Sequence, residues 1–252
     1  MSSIHMETSY PKEVEKAKKE RWPVILPVGT MEYHSTHCPY GCDTLVSVGI
    51  AEELAKRTDC LVLPAVWYGV ASYAVGGPEK NTINVNCDTF EKYIYDILKS
   101  LFKSGFKRNI CILIFHQTEE FLPTALACMK AAKKLTFEYL EETEGYGWWG
   151  DNKYADFYEN LAAEDSPWNW IRVFNGVCYP EEYEYPGDHA GKYECAMLES
   201  LFPGSIKLER LDETSDWFAQ NAREMSVEEG DEMVEKVVTN LLKAIKEGKK
   251  CY

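Results

Sequence analysis

With 252 residues, 45% hydrophobic content and a net charge of -14, the chain is long enough to bury its own core and reads as a single domain over 1–252. The acidic balance excludes a nucleic-acid partner, which would need a basic face where only short clusters such as Lys249–Lys250 occur. No run reaches the roughly 18 apolar residues of a membrane span or the shorter apolar core of a signal segment, and nine cysteines without a CxxC pair fit reduced thiols, so a cytoplasmic protein with no membrane partner is expected.

In chain order, the N-terminal segment with His5 is expected to be disordered. Pro23-Val24-Ile25-Leu26-Pro27-Val28 is too short for a helix and predicts a buried strand emptying at Gly29 into the loop GTMEYHSTHCPYGCD, residues 29–43. Leu45, Val48, Ile50 and Leu54 give 44–58 a helical stripe, and 60–66 reads as a second strand, completing a parallel βαβ unit. Asp88 with Glu91 forms a capping-box pattern ahead of a helix faced by Phe90, Ile94, Ile97, Leu98 and Leu101, which Gly105 can terminate. The most strand-like run, 109–115, stops at His116. Residues 141–186 turn aromatic and acidic without a clean period and are read as an inserted cover or subunit contact. A last helix starts near Ser226 and Glu229 and buries Met233, Val234, Val237, Val238, Leu241, Leu242 and Ile245. Alternating strands and helices predict an α/β fold with a mostly parallel sheet, where ligands sit outside the strands' carboxyl ends.

Three polar clusters occupy such ends or turns. Glu32 and His34 are two residues apart, so an extended backbone projects both to one side, and Asp43 can return there after the Pro39-Tyr40-Gly41 turn. Carboxylate, imidazole and carboxylate suit Zn, Mn or Fe, and the two oxygens of Asp43 could bridge a pair of ions. The same residues alone also fit an ordinary polar loop. His116 follows a buried strand at the same sheet edge, and Asp188-His189-Ala190-Gly191 with Glu194 adds an imidazole, an acid that could orient it, and a further carboxylate. Four of the five histidines fall in these clusters.

The pattern GT-x-E-x-H-x-x-H-x-P-x-x-x-D, then a strand followed by His, then DHAG-x-x-E, resembles the creatininase (creatinine amidohydrolase) family over most of the chain. The resemblance implies a three-layer α/β/α sandwich with a two-metal site, assembled as a homo-oligomer, a hexamer in the family. By position, Glu32, Asp43 and His116 would hold one ion, and His34 with the bridging Asp43 the second. His189 would be the proton-transfer histidine, Glu194 the nearby functional carboxylate, and His37 a support for the ligands. The chain departs from the family after His116, where Gln117-Thr118-Glu119-Glu120 replaces Gly-Gly-Asn and Thr118 stands where creatininases proper place a metal-binding glutamate. Either Glu119 or Glu194 could supply that fifth ligand, and Glu194 is favoured because its motif otherwise matches. Cys38 and Cys42 are read as packing.

The expected activity is divalent-metal-dependent hydrolysis, in which activated water opens a small cyclic carbonyl substrate, either a cyclic amide or a cyclic keto-polyol such as a diketo-inositol. His189 would move the proton, with Asp188 setting its tautomer. The altered segment after His116 argues against creatinine itself. Competing readings are a non-catalytic metal-binding or scaffolding homologue, and a sugar-binding module built on Trp148, Trp149, Trp168 and Trp170.

Overall fold

The computed structural model describes residues 3–116, 123–156, 159, 161–163, 165–175 and 187–248. Its centre is a five-stranded, all-parallel sheet of β1 (Ile4–His5), β2 (Val24–Val28), β3 (Leu61–Val62), β4 (Ile110–Ile114) and β5 (Ile171–Asn175), in the order β1-β3-β2-β4-β5. Among the described residues six α-helices connect and cover it: α1 (Pro11–Lys19), α2 (Cys42–Ala55), α3 (Cys87–Lys103), α4 (Pro123–Glu144), α5 (Lys192–Leu201) and α6 (Val227–Glu247).

Side-chain alternation along the strands explains the two-sided burial. Ile25, Cys111, Leu113 and Phe174 join the core under α2, α5 and α6, whereas Val24, Leu26, Val28, Ile110, Ile112, Ile114 and Ile171 join the core under α1, α3 and α4. The result is a three-layer α/β/α sandwich. It also sets the position of the site. From β2 the chain leaves through α2 on one face towards β3, and from the adjacent β4 it leaves through α4 on the other face towards β5. Neighbouring strands whose connections diverge leave a crevice outside their carboxyl ends.

Several local expectations shift. Residues 4–5 form the edge strand β1 beside Leu61 and Val62, and His5 Nε2 lies 3.5 Å from Glu52 Oε2, so this segment is tied down by sheet pairing. Helix α3 starts two residues earlier than the Asp88 pattern implied, because Asn86 is the cap and its side chain accepts the Asp88 backbone N–H at 2.9 Å. Gly105, at φ +97, follows its end as expected. Ser226 caps α6 by accepting the Glu229 N–H at 3.1 Å. Part of the stretch read as a cover is instead the edge strand β5, and Trp148 and Trp170 are buried in the core beneath α4. Two of the four tryptophans offered as a sugar-binding face are therefore core residues. Among the described residues no helix is long and apolar enough to cross a membrane.

Arg172, in the middle of β5, is 1% exposed and donates to the Ala244 carbonyl of α6 at 2.8 Å and to Asn109 Oδ1. Arg172→Met keeps volume but removes a buried charged donor and both of its bonds, at about 1–3 kcal/mol each. Urea denaturation should therefore show a loss of about 2–4 kcal/mol, and a loss within error of zero would mean that the guanidinium is not what joins β5 to α6.

Candidate metal centre

Loop 29–41 leaves β2 under tight constraint. A Cβ on Gly29 would come within 2.4 Å of Thr44 Oγ1, so the strand end crosses directly against the first turn of α2. The Glu32 N–H donates to the Tyr40 carbonyl at 3.0 Å, folding the loop back on itself. This brings Glu32 and His34 beside Asp43, the second residue of α2, where a helix N-terminus favours a carboxylate. His116 arrives from the end of β4, one strand over.

The four residues converge almost out of contact with solvent: Glu32 and His34 are 1% exposed, Asp43 and His116 2%. His116 Nδ1 lies 3.3 Å from both Glu32 Oε2 and Asp43 Oδ2. His34 Nε2 lies 3.6 Å from Asp43 Oδ1 and 3.5 Å from Glu194 Oε2. Both imidazoles are oriented from behind by backbone. His34 Nδ1–H donates to the Glu32 carbonyl at 3.0 Å, and His116 Nε2–H donates to the Val70 carbonyl at 3.1 Å. Each ring therefore turns its other nitrogen towards the carboxylates, an orientation that also suits a metal ligand.

Three donor atoms make no hydrogen bond. Glu32 Oε1, His34 Nε2 and Asp43 Oδ2 are buried without a hydrogen bond, and unmatched buried polar atoms are costly. Burial pushes the Glu32 carboxyl up to about 7, partly opposed by His116. Asp43 is buried too, yet the neighbouring His116 and His34 hold it below the usual carboxylate range. Burial would lower His34, but Glu194 and Asp43 outweigh it and raise the ring above its ordinary value. In the absence of a cation the imidazoles supply the positive charge that this acidic cavity needs; a divalent ion fits the same donor set. Glu32, Asp43 and His116 form one group whose donor atoms lie within 4.8 Å of one another, His34, Cys42 and Glu194 a second, and Glu32, His34 and His189 a third.

The segment 187–194 closes the far side. Glu194, in the first turn of α5, accepts the Ala190 N–H at 2.6 Å and faces His34. His189 stacks on His34 with ring centres 4.2 Å apart, and its Nε2–H donates to the Tyr33 carbonyl at 2.9 Å. Burial, with His34 alongside, pulls His189 below its ordinary pKa. Asp188 does not set this tautomer. Its two oxygens accept the Tyr193 and Glu194 N–H groups at 2.8 and 2.9 Å, capping α5, so Tyr33 orients His189 instead. His37 also stands back from the donors: its Nε2–H faces the Ala190 carbonyl at 3.0 Å and ties the loop to this segment.

Two features were missed in the sequence. Cys42 stands among the donors as well as in the core, a placement signalled only by its adjacency to Asp43. Tyr33 sits between Glu32 and His34; its hydroxyl and that of Ser35 each donate to Asp216 Oδ2 at 2.8 Å. Nothing in sequence spacing links residues so far apart. Thr118 and Glu119 lie outside the described residues.

Comparison with known proteins places this geometry. The family model for creatininase, creatinine amidohydrolase, matches residues 7–245. The chain is 29% identical to the 3-dehydro-scyllo-inosose hydrolase of Thermotoga maritima over 207 residues, 80% of this chain but 57% of that protein, so it spans little more than half of that relative. It is 22% identical to the creatinine amidohydrolase of Pseudomonas putida over 194 residues, 75% of this chain and 67% of that one. A solved creatinine amidohydrolase shares the fold at TM-score 0.74 and 19% identity, with 97% of each chain covered. A Zn-Zn form of a creatininase variant and a manganese creatininase each align at TM-score 0.70 and 20% identity over 97% of this chain and 98% of theirs. With the family model spanning nearly its whole length, this chain belongs to the creatininase family.

Proposed function

We propose that the chain is a divalent-metal-dependent hydrolase that opens the ring of a small cyclic carbonyl compound, a keto-inositol in preference to creatinine. The observation that carries this reading is the buried convergence of Glu32, His34, Asp43 and His116, in which Glu32 Oε1, His34 Nε2 and Asp43 Oδ2 have no hydrogen bond. Glu32, Asp43 and His116 would hold one ion, and His34, Asp43 and Glu194 a second. Zinc or manganese, present in forms of related creatininases, would make water acidic enough to attack near neutral pH and would polarise the carbonyl.

The chain's own residues supply the rest. Asp43 presents one oxygen to each histidine and so sets the spacing of the two halves. The Val70 and Glu32 carbonyls hold His116 and His34 in the tautomers that face inward. His189, oriented through Nε2 by Tyr33, keeps its lone pair on Nδ1, and its lowered pKa leaves it neutral and able to accept a proton. In the hydrolysis, the hydroxyl of water joins the carbonyl carbon, the adjacent ring bond breaks, and His189 returns the proton to the leaving atom.

The greater identity to the inosose hydrolase than to the creatinine amidohydrolase supports the choice of substrate, as does the loss of the Gly-Gly-Asn segment after His116. The test is turnover by metal-loaded protein of 3-dehydro-scyllo-inosose and of creatinine, with and without chelator. Chelator-sensitive opening of the inosose is expected. Undiminished turnover by fully stripped protein would sink the metal-dependent reading, and turnover of creatinine alone would sink the substrate. A homo-oligomer, hexameric by resemblance, belongs to the same proposal and is checked by light scattering.

A further inference from the structure

In the half of the site around His34, Thr118 occupies the position of the family's glutamate ligand, and Glu194 is proposed above to replace it. We propose, on the basis of the metal-dependent reading above, that Cys42 joins His34 and Glu194 as a thiolate ligand of the second ion and makes that position thiophilic. The Cys42 sulfur, one oxygen of Glu194 and one nitrogen of His34 lie within 4.8 Å of one another. His34 Nε2, one of the orphaned atoms, is fully buried at the side chain and 3.5 Å from Glu194 Oε2. Cys42 is 0% exposed and opens α2 immediately before Asp43, so the same helical turn delivers the carboxylate and the sulfur.

The other nearby thiols stand outside this group of donors. Cys195 Sγ lies 3.3 Å from His37 Nε2, and burial, together with the Cys195 and Cys42 sulfurs beside it, raises the Cys38 pKa well above the ordinary thiol value. Cys38 is thus placed to support a Cys42 ligand from behind, as groups behind a metal ligand commonly do. An ion held there would take the Cys42 sulfur as a thiolate, the thiol proton passing to solvent. A donor set of imidazole, carboxylate and thiolate favours zinc over manganese, whereas the Glu32, Asp43 and His116 group has no sulfur and discriminates less.

The full chain, stripped and reloaded with Co2+, should show a sulfur-to-cobalt charge-transfer band in the near ultraviolet. Cys42→Ser should abolish that band while the weaker visible bands of the other ion remain, and should reduce the zinc-over-manganese preference by about tenfold or more. Cys38→Ser should retain the band. Bound cobalt with no charge-transfer band in the wild-type chain overturns the assignment without any variant, and so does a band that survives in Cys42→Ser. A wild-type chain that binds no divalent ion overturns the metal-dependent reading itself, which separates the two failures.

Discussion

Asp43→Asn is expected to lower kcat by about 10³-fold or more while KM changes far less. The substitution preserves shape but removes the charge shared by both halves of the donor cluster: Asp43 Oδ1 faces His34 at 3.6 Å and Oδ2 faces His116 at 3.3 Å. An amide would also turn a nitrogen with its hydrogens towards one of the two rings. Steady-state kinetics with a keto-inositol substrate, together with metal analysis of the variant, measures this directly. Retention of more than a tenth of wild-type kcat with full metal content would mean that Asp43 is structural and that the reacting groups lie elsewhere.

Removal of metal should have the other large effect, on stability. A ligand present at about 1,000 times its dissociation constant stabilises the native state by about 4 kcal/mol. For a chain of this size that corresponds to roughly 10 °C in the unfolding midpoint. Stripped protein should melt lower by that amount and recover on addition of zinc. Glu32→Gln gives the matching control. Burial raises Glu32 to about 7, so without a cation its carboxylate contributes an instability that is absent below its ordinary value and grows as pH rises towards 7. At pH 8 the stripped variant should therefore melt above stripped wild type. An order reversed at pH 8 would show that the buried carboxylate is compensated by something other than an ion.

Legibility in the sequence followed burial. β2 and β4 are covered on both faces and so appear as unbroken apolar runs. The stripes of α3 and α6 are equally plain because each has one buried face. β5 escaped notice because Arg172 interrupts its apolar character, and the charge is tolerable because Ala244 of α6 and Asn109 offer it oxygens. Helix α4 buries small residues such as Ala125, Ala127, Ala131 and Ala132, which leave a weak hydrophobic period. In the site, Glu32, His34, Asp43, His116, His189 and Glu194 could be picked out by residue type and position at strand or helix ends. Their brackets could not, since Tyr33, Asp216 and the Val70 carbonyl act through contacts that only the folded chain creates.

The grip of Asp216 on Tyr33 and Ser35 reaches across 183 and 181 residues of sequence. Tyr33 stands between two proposed ligands, and its carbonyl also orients His189. The C-terminal part of the chain thus serves as a jig for a loop made near the start. A fragment ending before residue 187 would retain Glu32, His34, Asp43 and His116 but lose the latch that sets their loop, so metal capture and proton transfer are inherited together or not at all.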